Sequence, residues 1–479
     1  MNINILPVLP EIFLAFMIIV LLFADAFISE SKKHVITMLT IITIVVTFII
    51  QFMVYSGKPE LTFNNMFVLD ILAQGMKLTI YIVSLIIVLY IKQYINDKNL
   101  HKGEFYAIFL FSLLGMMVMI SANSMLVLYI GLELLSLGLC ALIALNRDNV
   151  KSTEAAMKYF ILSALASGLL LFGISFVYGA TGGQLQLDLL FRTIYSNVSV
   201  NNQFLSFGLV FIVAGLVFKL GLVPFHMWIP DIYEGSSLAT TTIIGTVTKI
   251  AAVIFMIRFL IYALVTLSNQ WAMMLMLLGI FSLFIGNVVA IAQTNIKRML
   301  GYSAIANMGF IAFGFITVSS SGISAMLFYT IIYVLTALAG FGVLTMLSRG
   351  NYECENIDDL KGLSKTYPIH AGILLLVMFS LAGIPPLAGF YAKFRILEEL
   401  IAVGYIKIAI YTVIMSLIGA FYYLRIVKVM YFDESIIELR LADVCIVSRS
   451  VLIINGVLLI ALGVIPGGVI AFCLKMITG

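Results

Sequence analysis

Charge is scarce in this sequence. Only 10% of its 479 residues are Asp, Glu, Lys or Arg, while 62% are hydrophobic. Soluble domains carry about 25% charged residues, so the composition, with a mean hydropathy of +1.14, is that of an integral membrane protein. Cysteine is scarce too. Cys140, Cys354, Cys445 and Cys473 are scattered with no C-x-x-C pair, which argues against zinc and iron–sulfur sites. Two of the four histidines, His34 and His101, fall in loops, and no haem ligand pair results. There is no Walker loop; "GATGGQ" at 179–184 lies between two apolar segments and reads as a turn. The opening stretch has no basic region and no small-residue cleavage site, so the first apolar segment is expected to stay. A net charge of +4 comes from loop cations and does not argue for nucleic acid. No run alternates over about ten residues as a barrel strand would.

What is present is apolar length. About 20 helical residues cross the hydrocarbon, and fourteen spans are predicted: 9–28, 34–54, 69–91, 104–121, 123–145, 159–180, 204–227, 238–262, 271–291, 300–318, 323–347, 370–394, 403–430 and 449–474. Cations concentrate in odd-numbered loops: Lys32 and Lys33; Lys98 and Lys102; Arg147 and Lys151; Lys297 and Arg298; Arg349, Lys361 and Lys365; Arg440. Even loops hold little beyond Lys58 and Arg192. The positive-inside rule then puts odd loops in the cytoplasm and both termini on the opposite, periplasmic side. The loop after the seventh span is an exception, with Asp231 and Glu234 and no cation.

No linker separates soluble domains. Two spans carry mid-membrane breaks, the seventh at Pro224 and Pro230 and the twelfth in "SLAGIPPLAGFYAKF" (380–394). These are five spans apart, so two tandem five-helix units, spans 4–8 and 9–13, sit upside down relative to each other, as in an inverted repeat. The predicted fold is all-α and polytopic, one membrane domain over 1–479. Spans 1–3 occupy 1–103, the first unit 104–262, the second 271–430, and a loop with the last span 431–479. Lys219 precedes Pro224 by five residues, whereas Lys393 follows Pro386 by seven, so the halves correspond helix by helix rather than residue by residue.

Four charges lie well inside apolar runs: Glu133, Lys219, Lys249 and Lys393. Each costs about 2.5–3.5 kcal/mol at a helix centre, together roughly 10–14 kcal/mol, comparable to a domain's whole stability. Lys77, Lys158 and Lys297, near span ends, read as lysines whose stems reach the headgroups. Pro224 cannot donate to the carbonyl of Leu220, and that freed oxygen is expected to solvate the Lys219 ammonium. Pro385 and Pro386 free the carbonyls of Leu381 and Ala382 in the same way. Irregular backbone at this depth needs a polar cavity or burial in protein. Thr242 and Thr246 share a face with Lys249, and Gly245 admits a neighbouring helix. Unlike arginine, a desolvated lysine can lose its proton. Three such lysines and a carboxylate suggest a lateral proton relay, with His226, Tyr302 and water between stations.

"YIGLELLSLGLCAL", "KLGLVPFHMWIPDIYEGS", "TVTKIAAV", "IKRMLGYSAIANMGF" and "SLAGIPPLAGFYAKF" resemble the antiporter-like membrane subunits of respiratory complex I, the proton-translocating NADH–quinone oxidoreductase. The likeness runs end to end, and "LPEIFLA" and "IDDLKGLSKTYP" are typical of one branch. It implies proton translocation driven by quinone reduction elsewhere in the complex. Glu133 and Lys219 would be a coupled pair, Lys249 the central relay and Lys393 the outlet, with Lys158 as a further participant. The family usually has a histidine where Asn307 stands, so that branch would run through water or Tyr302. The resemblance implies no cofactor on this chain: flavin, iron–sulfur clusters, NADH and quinone sites belong to other subunits. Its partners would be other membrane-arm subunits within the bilayer, in a bacterial inner membrane. Two other readings use the same residues: a subunit of a multi-subunit cation/proton antiporter, and a scaffold whose charges only specify packing.

Overall fold

The computed structural model describes residues 4–29, 33–98, 100, 103–196, 201–350, 352–434 and 445–478. Lys32, His101, Lys102 and Arg440, used above for loops and orientation, lie outside the described residues. The chain is mostly helical. In order come α1 (Leu9–Phe27), α2 (His34–Val54), α3 (Ile71–Asp97), α4 (Gly103–Ser121), α5 (Met125–Ala144), α6 (Val150–Ala180) and α7 (Leu187–Ser196). Then follow α8 (Asn202–Leu220), α9 (Trp228–Gly235), α10 (Leu238–Gly245), α11 (Val247–Met256), α12 (Ser268–Ile291), α13 (Ile296–Ile316) and α14 (Ser320–Leu347). The last six are α15 (Leu363–Thr366), α16 (Pro368–Ala382), α17 (Ala388–Ala402), α18 (Ile406–Phe432), α19 (Ile446–Val464) and α20 (Gly467–Thr478). A small hairpin pairs β1 (Glu60–Thr62) with β2 (Phe67–Leu69).

Among the described residues, thirteen helical segments are long and apolar enough to cross a membrane. Those centred on α10–α11, α13 and α14 are buried along nearly all their length, whereas α1, α6, α12, α18 and α19 form an outer ring. Apolar on every side, the inner helices can only be core. The ring turns side chains such as Phe16, Phe160, Leu165, Phe281 and Leu417 outward.

Several expected spans are interrupted. The seventh ends at Leu220, and after the turn around Pro224 the chain resumes as α9. Pro230 does not break that helix, because it sits in the first turn, where an N–H has no helical acceptor. The eighth is divided at Thr246 (φ −123°, ψ −89°) into α10 and α11, then ends in a π-helical turn, Ile257–Ala263. That division was not anticipated. The twelfth is two short helices, α16 and α17, flanking Gly383–Leu387. The segment 449–474 is likewise split, into α19 and α20.

The loops after the third, ninth and eleventh spans meet on one face, and those after the second, fourth and sixth meet on the other. Arg349 bonds Asp97 at 3.0 Å, Lys98 donates to the carbonyl of Tyr352, and Ile296 N donates to Glu355 O. Opposite, Asn123 N donates to Met66 O and Met125 N to Leu185 O. The acidic exception is explained here. Asp231 is bonded by Lys158 at 2.8 Å and Arg298 at 2.7 Å, and Glu234 by Arg298 at 3.1 Å. The cations that balance this loop come from α6 and α13.

Candidate functional site

Lys219 lies in the last turn of α8, where a cation meets the negative end of the helix dipole. Its ammonium donates to Ser136 Oγ on α5 at 2.6 Å and to Ser163 Oγ on α6 at 3.0 Å. The rings of Phe218 and Tyr159 lie 5.4 and 5.9 Å away. Close approach of α6 to α8 makes this reach possible: a Cβ on Gly173 would stand 2.7 Å from Ile212 N. Glu133 forms no direct ion pair with Lys219. It sits one turn before Ser136, partly buried, with Oε1 unpartnered among the described residues.

The carbonyl freed at Leu220 does not serve Lys219. It accepts from Lys249, whose Nζ stands 2.9 Å away over the face of Trp228, 5.3 Å from the ring centre. Trp228 in turn donates its indole N–H to Phe218 O at 3.0 Å and packs on Phe218 and Tyr159. An aromatic partition thus stands between the Lys219 and Lys249 ammoniums. Lys249 is buried; the hydroxyls of Thr242 and Thr246 donate to the carbonyls of Leu238 and Thr242 and make no bond to its ammonium. Gly245 does admit α14, for a Cβ there would lie 2.6 Å from the Phe341 ring.

At the second break, Lys393 donates to Leu381 O at 2.7 Å, Ala382 O at 3.1 Å and Ser416 Oγ of α18 at 2.9 Å, beside the Phe310 ring. A cavity of about 310 Å³ adjoins it, lined by Phe310, Phe390, Phe394, Thr412 and Ser416 among others. Toward the centre, Asn307 donates to Ser303 O at 2.7 Å and accepts from Tyr329 at 2.7 Å, and Ser303 and Tyr423 share a hydrogen bond of 2.5 Å. A void of about 10 Å³ lies between Asn307, Tyr329, Thr336 and Lys393. Tyr302 is absent from this string: its hydroxyl makes no side-chain hydrogen bond among the described residues, and it stands one turn from Arg298. His226 is buried in the first break, beside the backbone of Pro224.

Lys158 is half exposed, in a cluster with Glu154 and Asp231 at one mouth of the bundle, where a cavity of about 190 Å³ opens. Burial works against ionisation of Asp231, but Lys158 and Arg298 outweigh it and hold the carboxyl below its ordinary value. Lys77 and Lys297 do not reach headgroups. Both are buried, Lys77 against Glu11 and Lys297 against Glu355 at 3.1 Å and Ser236 O at 3.2 Å. Their carboxylates are distant in sequence, which no local pattern reveals. Ser136, Ser163, Ser416, Trp228, Tyr329 and Tyr423 were also missed. Only Ser136, one turn from Glu133, had a readable signal.

Residues 122–419 match the family model for the transmembrane region of NADH:quinone oxidoreductases and Mrp antiporters. NADH-quinone oxidoreductase subunit N of Laribacter hongkongensis is 49% identical over 99% of this chain and 98% of its own length. The subunit N of Neisseria gonorrhoeae is 48% identical with the same coverage. A chain of respiratory complex I from Thermus thermophilus superposes with a TM-score of 0.82 at 28% identity, covering 97% of this chain and 99% of that one. A chain of the Mrp complex from Dietzia shares the fold, with a TM-score of 0.86 at 17% identity over 98% of this chain and 96% of that one. With a family model across more than half its length and near-half identity end to end, the chain belongs to the subunit N family of NADH–quinone oxidoreductases.

Proposed function

We propose that the chain moves protons across the membrane through a row formed by Glu133, Lys219, Lys249 and Lys393. It does so as a membrane-arm subunit of an NADH–quinone oxidoreductase whose redox chemistry lies on other subunits. The observation that carries this reading is what the three ammoniums touch. Each rests on neutral oxygens, from serine hydroxyls or from carbonyls at a helix break, and among the described residues none is paired with a carboxylate. A carboxylate partner would pin a lysine in its charged form. Neutral dipoles stabilise the ammonium, yet leave no stranded counter-charge when it gives up a proton. Glu133, one turn from Ser136, is the group that biases Lys219. Lys158, His226 and Tyr302 are secondary: the first at the charged mouth, the second inside the break, the third near Arg298.

The architecture we infer has fourteen crossings, the twelfth being the broken pair α16–α17. Spans 4–8 and 9–13 form inverted five-helix units within 104–262 and 271–430, between an N-terminal group (1–103) and a C-terminal one (431–479). The matching backbones of the two breaks support it. The grouping of cation-bearing odd loops on one face supports a cytoplasmic side there, with both termini periplasmic in a bacterial inner membrane. Other membrane-arm subunits and lipid are the partners, and the chain itself carries no redox group. The Mrp likeness at 17% identity extends to fold alone, so the antiporter reading gains nothing from it.

The test is Lys219→Ala in the whole complex. Assembly should persist while most proton pumping coupled to NADH oxidation is lost. Lys219→Arg should fail as well, since arginine keeps its proton. Full pumping by the arginine variant at normal complex levels would make the site structural.

A further inference from the structure

The four N-terminal helices hold a second set of buried polar groups that the row above does not use. On α2, Thr37, Thr40, Thr43, Thr47 and Gln51 are all buried on one face. From Thr37 to Gln51 is fourteen steps, roughly 21 Å at 1.5 Å per residue, most of the hydrocarbon thickness. Facing them, α3 buries Gln74, Lys77, Tyr81 and Ser84. Gln51 donates to Gln74 Oε1 at 2.5 Å, and Lys77 forms an ion pair with Glu11 of α1. At the other end Tyr106 of α4 stands beside Thr37, and Asp25 of α1 lies against Gly103. Polar groups therefore continue from one face of this helix group to the other.

A stripe of threonines bonded back to their own helix is the ordinary way to bury hydroxyls in a membrane, and by itself would mean packing. The unpartnered atoms point further. Of sixteen buried side-chain polar atoms without a protein partner among the described residues, eight lie on α1–α4. They include Glu11 Oε2, Gln51 Oε1 and the hydroxyls of Tyr81 and Ser84, whereas those of Thr37 and Tyr106 lie within reach of each other. Buried polar atoms in native proteins bond to protein or to ordered water, so these require water. A neighbouring pair shows what a merely structural ion pair looks like. Arg258 grips Asp70 through two bonds of 2.7 and 2.8 Å and donates Nε to Ile120 O, while Asp70 also caps α3 through Ala73 N. That pair is saturated, and its guanidinium does not deprotonate. In the Glu11–Lys77 pair one carboxylate oxygen is unclaimed, and the ammonium makes one hydrogen bond, to Glu11, with its remaining side toward the Phe67 ring.

We propose that α1–α4 carry a second proton lane across the membrane, closed in this structure by the Glu11–Lys77 ion pair. Opening moves one proton from the Lys77 ammonium to the Glu11 carboxylate, leaving a neutral amine and a neutral acid with no change in net charge. Water along the Thr–Tyr stripe reprotonates the amine, and the acid discharges on the other side. The lane shares no residue with the row of lysines and lies before residue 122, where the family-wide match begins.

The experiment measures resting proton permeability of vesicles bearing the assembled complex, without NADH. Lys77→Ala removes the closure and leaves Glu11 to take its proton directly from water of the stripe, which should raise permeability several-fold, and adding Thr43→Leu should return it to the parent value. A Lys77→Ala complex as proton-tight as the parent overturns the lane. Should that variant not assemble, radiolytic hydroxyl-radical footprinting of the unmodified complex decides. Tyr81 and Tyr106 should be oxidised through contacting water. Both remaining unmodified while exposed Tyr195 reacts would show the stripe to be dry. Pumping through the row of lysines is read by NADH-driven proton uptake and this lane by permeability at rest, so failure of one proposal is distinguishable from failure of the other.

Discussion

At the first break α8 ends at Leu220, Gly221 turns left-handed at φ 84°, and a cis peptide precedes Pro224. At the second, α16 ends at Ala382, Gly383 turns left-handed at φ 85°, and a cis peptide precedes Pro386. Gly221 N and Leu222 N both donate to Val217 O, just as Gly383 N and Ile384 N both donate to Phe379 O. Position by position, the backbones agree. The side chains do not. Lys219 stands before its break where Leu381 stands before the other, and seven residues past each proline the first half has Asp231 where the second has Lys393. The freed oxygen of the first break is taken by Lys249 from the next span, those of the second by Lys393 from the continuing helix. A break therefore supplies oxygens to whichever ammonium can reach them, and the lysine need not belong to the broken segment.

The largest expected effect comes from separating charge from titration at both breaks. Lys249→Met and Lys393→Met should each abolish most coupled pumping with assembly retained, as read by proton uptake of vesicles during NADH oxidation. Lys249→Arg should be the worse of the two arginine variants, since Lys249 is fully enclosed whereas Lys393 adjoins a cavity. Equal effects would mean that the enclosure of Lys249 does not matter.

Smaller and more diagnostic is the pair Gly221→Ala and Gly383→Ala. Both place a Cβ in the left-handed region, which costs about 1–2 kcal/mol. At Gly221 the added carbon runs into the Ile229 side chain, whereas at Gly383 it meets the Lys393 stem at 3.0 Å. Gly221→Ala should lower the amount of assembled complex. Gly383→Ala should leave more of it assembled but slow pumping, by displacing the ammonium. Quantifying complex in membranes beside pumping per NADH oxidised checks both.

The smallest effect is expected at Asp231, the position where the two halves differ most in charge. Its ion pairs are partly exposed, and Asp231→Asn should cost no more than about 1 kcal/mol of stability. Its folded carboxyl titrates below the ordinary value, so the stabilisation is present above about pH 4 and is lost as pH falls through the lowered value. Thermal unfolding of parent and variant complexes should converge on acidification, and a gap persisting in acid would deny Asp231 that role.

Much of this was readable before any coordinates. Apolar run length marked the helices, because hydrocarbon demands internally bonded backbone over a set length. Proline inside such a run marked Pro224, Pro385 and Pro386 as breaks. Reading failed where partners are distant in the chain. The Leu220 carbonyl was assigned to Lys219 because they are neighbours, yet Lys249, 29 residues on, claims it. Lys77 was taken to reach a headgroup because it lies near a span end, yet Glu11, 66 residues away, holds it inside. The division at Thr246 has no proline to announce it.

Composition and hydropathy, acting locally, determined that this chain enters the membrane as helices and where those helices must open, since each residue's preference for lipid and each proline's missing N–H are properties it carries alone. Which buried cation meets which oxygen was decided by the tertiary structure. Those contacts depend on the relative placement of helices dozens or hundreds of residues apart, and in a low-dielectric interior a single partner, carboxylate or carbonyl, determines whether a lysine is held charged or left free to exchange its proton.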